Sequence, residues 1–247
     1  MGKFLPLDNN PSDEEILTCY DQYEWRPLFN GRDRIEPSGI WPQWKEPTNS
    51  QLGLPAPDWR FANNRLYMGT DTMDIGNSQK EGEYKICFET TVLPVRFILW
   101  GGRFFPIYRG ETRLQTGIDI TVTRSGSTAN PGSEGEISVS VYKRDHNAHF
   151  VGSAKDISLP SEKMELRVIV FLEKGKKAYT GSVWFKGREI IDRFQLEMAS
   201  ASVTLFSGIY REISFRGDTI ELQRDAEQVQ HIIEQFPSLK PYVEEGF

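Results

Sequence analysis

From Trp59 onward the side chains alternate with a period of two, in short runs broken by turn residues. The runs are Leu66–Met68, Tyr84–Leu93, Val95–Trp100, Gly117–Arg124, Glu136–Arg144, Met164–Leu172, Ser182–Lys186 and Val203–Phe215. Glu81-Gly82, Gly101-Gly102, Ser125 to Gly135, Lys174-Gly175 and Lys186-Gly187 separate them. Successive side chains of a strand point to opposite faces, so such runs bury one face and expose the other. Many short strands with turns between them predict an all-β sandwich or barrel. No strand–helix–strand alternation is visible, which argues against a parallel α/β sheet.

The alternation assigns faces. Val203, Leu205, Ile209, Ile213 and Phe215 share one side of the last run and are expected in the core. Thr204, Phe206, Gly208, Tyr210 and Glu212 share the other, where Gly208 leaves a dent between two rings. Likewise Ile137, Val139 and Val141 form a core face, and Ser138, Ser140, Tyr142 and Arg144 point away from it. Trp184 faces opposite to Val183 and Phe185, toward a cleft beside Tyr210 or into packing.

Helical signals stand at the two ends. Ser12 and Glu15 form a capping box for a short helix running to Tyr20. Val229, Ile232, Ile233 and Phe236 recur at helical spacing between Asp225 and Pro237. Between Trp25 and Asp58, Pro27, Pro37, Pro42, Pro47, Pro55 and Pro57 exclude helix interiors and central strands. The chain of 247 residues suits one large sandwich. Its expected parts are a Pro/Trp-rich wrap (1–58), the sandwich (59–222) and a C-terminal helix and tail (223–247). Residues 126–135 (GSTANPGSEG) read as a mobile hairpin loop.

The net charge of −6 and pI near 5.3 disfavour nucleic acid and anionic membrane surfaces, which require a basic field. The two cysteines, Cys19 and Cys87, are expected to be reduced, buried thiols. The N-terminus lacks the apolar run of a signal peptide. Pro6 breaks the myristoylation pattern that Gly2 begins. A cytoplasmic protein, monomeric or homodimeric, is therefore expected.

Three segments carry a resemblance. They are Pro27 to Asp33 (PLFNGRD) followed by Trp59-Arg60-Phe61 and Asn64 to Tyr67, then Met164 to Asp192 with its GSVWFKG, and Leu205 to Arg211 (LFSGIYR). In combination and order they resemble the concanavalin-A-like superfamily, which implies a jelly-roll β-sandwich of two antiparallel sheets. The last segment is similar to a strand of polysaccharide lyases of the alginate and heparin lyase type. That likeness implies Tyr210 as general acid or base, with Arg211 beside it. The family's lysine is replaced by Phe206, and its Gln-x-His strand has no counterpart, since no histidine lies between Tyr84 and Arg144. β-Elimination needs a clamp on the uronate carboxylate. The Glu-x-Asp-x-Glu strand of laminarinase-type hydrolases is reduced here to Asp119 alone.

Further candidates come from the residues themselves. Trp100, Arg103, Phe104, Phe105, Tyr108, Arg109 and Arg113 interleave rings and guanidinium groups that can stack on and clamp a ligand. A large loop anchored by its own aromatics fits them equally well. Glu89 and Glu111 are isolated carboxylates whose pKa an apolar pocket would raise. His146 is a candidate acid or base. Together His146 and His149 fall short of the three or four ligands of a metal site. No cofactor fingerprint is present, so no cofactor is expected.

Three functions fit these features. The foremost expectation is a cofactor-free enzyme that holds a small, largely apolar metabolite on the concave face and promotes its cyclisation or isomerisation. Tyr210, Arg211 and His146 would be catalytic. Trp100, Arg103, Phe105, Tyr108, Tyr142, Arg144, Trp184, Phe206 and Glu89 would bind the substrate. The alternatives are a lyase-like or hydrolase-like enzyme on an oligosaccharide, and a lectin-like carbohydrate-binding module without chemistry.

Overall fold

The computed structural model describes residues 6–29, 59–68, 73–104, 113–127, 130–143, 147–196 and 201–219. The expected C-terminal helix and most of the proline-rich segment lie outside them. One helix, α1 (Asp13–Thr18), precedes thirteen strands: β1 (Arg26–Phe29), β2 (Trp59–Ala62), β3 (Arg65–Met68), β4 (Met73–Glu89), β5 (Val95–Phe104), β6 (Arg113–Ser127), β7 (Asn130–Tyr142), β8 (Ala148–Ser158), β9 (Lys163–Phe171), β10 (Tyr179–Phe185), β11 (Arg188–Leu196), β12 (Ala201–Leu205) and β13 (Gly208–Thr219). All strand pairings are antiparallel.

The strands form two layers. In the first, the order β11-β10-β9-β4 continues through β13 to β1 and β3. In the second, β12-β5-β6-β7-β8 lie side by side. β4 serves both, pairing β12 through its first half and β9 and β13 through its second. The first strands of the wound ribbon pair with the last, β4 with β13 and β5 with β12. This is the jelly-roll arrangement, an all-β sandwich as expected. Side chains from both layers fill one apolar core, among them Ile86, Phe88, Val168 and Phe215 from the first and Phe97, Ile120, Val139 and Leu205 from the second.

The run Val203–Phe215 is not one strand. It leaves the second layer at Phe206-Ser207 and enters the first at Gly208, whose φ is +134°. A Cβ there would lie 2.8 Å from a Val95 methyl, so only glycine fits. A bulge follows. Tyr210 sits opposite Phe88 and Glu212 opposite Cys87, leaving Arg211 as the extra residue. One inserted residue reverses the parity of all that precede it. Tyr210, Ile213 and Phe215 therefore share the core face, and the expected partition of Tyr210 away from the core is corrected.

β8 and β11 also escaped the alternation pattern. β8 is rich in small and polar residues and has no buried position. In β11 a bulge spaces the buried Ile191 and Phe194 three apart, a helical interval. The expected loop at 126–135 is largely strand, with Gly126 paired to Pro131 and Ser127 to Asn130.

The N-terminal segment straps the outer face of the first layer. The Ser12 N–H donates to the Glu15 carboxylate at 2.7 Å and the Glu15 N–H to Ser12 Oγ at 3.3 Å, completing the capping box. Ile16 and Tyr20 bury against Ile169, Phe171 and Trp184. Each fully buried apolar side chain stabilises by about 1.5–3 kcal/mol. Tyr20 Oη donates to the Val170 carbonyl at 2.6 Å. Arg193 reaches the Pro11 carbonyl at 2.7 Å and Asp13 at 2.9 Å. Beneath the strap, Glu83 is buried between Arg167 and Arg216. Cys19 and Cys87 are both free thiols. Burial, and secondarily the Glu83 charge, pushes the Cys19 thiol up to about 12.

The strap is predicted to loosen in acid. The backbone N–H bond of the capping box holds the Glu15 carboxyl below its ordinary value of 4.5. Burial raises Glu173, but bonds from Lys176, Thr180 and the Asn10 N–H outweigh it and leave it lowered. A lowered carboxyl contributes stability above its unfolded pKa and loses it as pH falls through the folded one. Glu189, raised by burial, works in the opposite direction. Emission from Trp184, beneath the strap, should shift toward that of a solvated indole as pH falls below 4.5. An unchanged spectrum down to global unfolding contradicts this.

Candidate functional site

The expected centre at Tyr210 is closed. Its side chain has no solvent exposure and packs edge-on to Phe97 across the core, ring centroids 6.4 Å apart. The phenol donates to the Arg96 carbonyl at 2.6 Å, with the Ser207 carbonyl at 3.3 Å. Burial pushes its pKa far above the ordinary tyrosine value. A phenol sealed among apolar side chains and bonded to backbone neither meets a substrate nor exchanges a proton with one.

Other expected residues scatter. Trp100 is fully buried against Tyr84, centroids 4.5 Å apart, with its backbone at φ +52°. It belongs to the core, not to a cleft mouth. Trp184 is buried under α1, its indole N–H donating to Ser182 Oγ at 2.9 Å. Arg103 lies on β5 opposite Leu114. Phe105, Tyr108, Glu111, Arg144 and His146 lie outside the described residues. His149 sits on β8 opposite Val141, and no group of three metal-binding side chains occurs among the described residues.

Two sets do converge. Glu89 and Arg211 meet on the outer face of the first layer. Arg211 Nε and Nη2 lie 2.9 and 2.8 Å from Glu89 Oε1, and Arg65 pairs with the same carboxylate. Glu89 is buried by these partners and holds the β3 and β13 arginines together. Removing either arginine would leave a nearly buried carboxylate short of a partner, which is costly, so the cluster reads as structural.

The second set is on the outer face of the second layer. Arg96 stands between the inward Val95 and Phe97 on β5, and Asp119 between the inward Ile118 and Ile120 on β6. Arg96 faces Thr121 across the ladder, so Asp119 is its diagonal neighbour. Their pairing is bidentate, Nε to Oδ1 at 3.1 Å and Nη2 to Oδ2 at 2.7 Å. The guanidinium also stacks 4.5 Å from the centroid of Phe206. The bond to Asp119 raises the Arg96 pKa. Tyr142 joins both groups from β7; burial first, then the Asp119 charge, raises its phenol. Beside this cluster Thr121, Ser138, Ser140 and Ser153 are half exposed and face outward along adjacent strands. Phe150, opposite Ser140 on β8, is 68% exposed.

This is a shallow trough with a hydroxyl-bearing floor. Arg96, Asp119, Tyr142 and Phe206 form one wall and Phe150 the other. From β5 to β8 it spans three strand spacings, about 14 Å. Tyr142 and Phe206 were expected in the site. Arg96, Asp119 as a binding group, and Phe150 were not, although each sits at an outward position of its strand. Bringing them together required the β5–β6 register, which shifts twice between Leu99 and Arg103.

No family model matches this chain, and none of the curated proteins searched matches it. Solved structures with similar strand arrangements include the CBM40 of the Ruminococcus gnavus IT-sialidase bound to α2,6-sialyllactose (11% identity, TM-score 0.33, covering 67% of this chain and 96% of that one). A second is the κ-carrageenase from Pseudoalteromonas carrageenovora in complex with an oligotetrasaccharide of κ-carrageenan (11%, 0.33, covering 81% and 83%). A third is a legume lectin-like domain from Entamoeba histolytica (10%, 0.34, covering 89% and 96%). At these identities and scores none of them assigns a ligand or a catalytic residue to this chain.

Tyr210→Phe should cost about 1–2 kcal/mol in urea unfolding, from the lost phenol bond and the carbonyls left behind. It should leave ligand binding nearly unchanged, because the Phe206 N–H and the Ser207 carbonyl still hold the Arg96 backbone at 3.0 and 3.1 Å. A loss of binding or activity without a loss of stability would contradict the buried placement.

Proposed function

We propose that the protein binds carbohydrate, as a lectin-like module, in the trough on the outer face of the second layer. The observation that carries this function is the bidentate Arg96–Asp119 pair, its arginine side chain 39% exposed on an aspartate side chain only 9% exposed, beside hydroxyl-bearing strands and aromatic rings. The guanidinium has five donors, commits two to Asp119 and also bonds Tyr142, which leaves N–H groups for sugar oxygens. The carboxylate, largely buried, is bonded to Arg96 and Tyr142 and holds the guanidinium in place. Each group fixes the other's orientation before ligand arrives, which lowers the ordering cost of binding. Phe150 and Tyr142 offer apolar surface to the C–H faces of pyranose rings.

Several features favour binding over chemistry. The cyclase mechanism depended on Tyr210, which is closed. The lyase mechanism depended on the same phenol and on a clamp that Phe206 replaces. Arg96 and Asp119 neutralise each other, a poor arrangement for an acid and a base that must exchange protons. An apolar metabolite fits the trough less well, because burying its serines and charged pair without partners is costly.

Glycan-array screening followed by calorimetry tests this. An oligosaccharide should bind saturably and be recovered unchanged. Asp119→Ala and Arg96→Ala should each weaken binding at least about tenfold, the loss of one charge-assisted hydrogen bond. Phe150→Ala should weaken it roughly fivefold, near 1 kcal/mol of aromatic contact. Absence of any glycan ligand, or conversion of a glycan or metabolite, would overturn the proposal.

A further inference from the structure

The strap meets the ends of β10 and β11 across a second cavity, on the opposite side of the molecule from the trough. It has a volume of about 310 Å³ and is lined by Asn9, Asn10 and Pro11 on one side and by Glu173, Thr180, Arg193 and Gln195 on the other. Its charges are already paired. Glu173 Oε2 accepts from Lys176 Nζ at 2.8 Å and from the Asn10 N–H at 3.2 Å, and Oε1 accepts from Thr180 Oγ1 at 2.8 Å. Arg193 is held by the Pro11 carbonyl and by Asp13 and Glu189. What remains uncommitted is neutral. Among the described residues the Asn9 and Asn10 carboxamides find no side-chain partner, and Gln195 spends only its Nε2, on Thr180 Oγ1 at 3.1 Å.

A primary amide presents two donors and an acceptor with two lone pairs. Three such groups, all on solvent-exposed residues bordering one open cleft, match a ligand whose oxygens both donate and accept. An ionic ligand gains little, because each charge in the wall has its counter-charge in place. The volume stands at the lower limit of small-molecule pockets, roughly 300 Å³, which admits a single ring and not a polymer. We infer that this cleft is a second binding site, taking one neutral polyhydroxylated ring of monosaccharide size through Asn9, Asn10 and Gln195. The inference is independent of the trough, whose residues it does not use. Because one wall is the strap and the other the sheet, an occupied cleft also ties the strap down.

Nitrogen-15 NMR of the intact chain separates the two sites, since side-chain amides and arginine Nε–H groups give their own signals. Glucose, galactose, N-acetylglucosamine and myo-inositol serve as neutral probes, with glucuronate and glucosamine as charged ones. A neutral probe should shift the Asn9, Asn10 and Gln195 amide signals saturably, and the charged analogues should bind more weakly. Asn9→Ala with Gln195→Ala should raise the Kd at least about tenfold, with Tm unchanged. Asn10→Gly preserves the left-handed backbone at φ +58° and should weaken binding in the same direction. Amide signals that stay still for every neutral probe at roughly 10 mM overturn the inference, whether or not Arg96 Nε responds. Tighter binding of a charged probe, or full affinity in the Asn9→Ala/Gln195→Ala chain, overturns it as well.

Discussion

The backbone carbonyl of Arg96 is where the interior and the working surface are set together. It accepts the Tyr210 phenol at 2.6 Å and the Phe206 N–H at 3.0 Å. The first bond closes the core at the corner where the chain passes between layers. The second fixes Phe206 beside Arg96, and the Arg96 N–H returns the contact to the Ser207 carbonyl at 3.1 Å. With its backbone so held, Arg96 directs its side chain outward to Asp119 and stacks on the ring its own carbonyl has placed. One residue thus seals a buried polar group that would otherwise be costly and builds the trough on the opposite face.

The class of fold was legible because alternation is a local property. The core positions assigned in β7 (Ile137, Val139, Val141) and in the last run (Val203, Leu205, Ile209, Ile213, Phe215) are all buried, and the capping box at Ser12 forms as its spacing predicts. The site was legible only in part. Tyr142 and Phe206 stand against Arg96 in the proposed site, and Ser138 and Ser140 face outward as expected. Tyr210 failed for a definite reason: a corner at Ser207-Gly208 and an extra residue at Arg211 both reset which side chains share a face. Such irregularities depend on the neighbouring strand, so a pattern read along one strand does not contain them. Arg96 and Asp119 were visible singly as outward charges between apolar neighbours. Their pairing is diagonal across a hairpin whose register shifts twice, and only the pairing makes them candidates for binding.

The two layers use their outer faces differently. On the first, Trp184, Ile169 and Phe171 are covered by the helix and strap, and the charges beneath are paired in Glu83–Arg167–Arg216. On the second, small hydroxyl side chains keep the floor low between β6 and β8, and a large ring at Phe150 remains in solvent. An exposed phenylalanine beside half-exposed serines adds nothing to the core. Its place fits the proposed ligand, which has one apolar and one hydroxyl-bearing aspect.

Tyrosine nitration mapped by mass spectrometry tests this division most directly, because the reagent reports which phenols reach water. Tyr142 should be modified in the folded protein and protected by a bound oligosaccharide, while Tyr210 stays unmodified until the chain unfolds. Nitration of Tyr210 in the native state at a rate comparable to Tyr142, with protection by ligand, would place the phenol in the site and contradict the account.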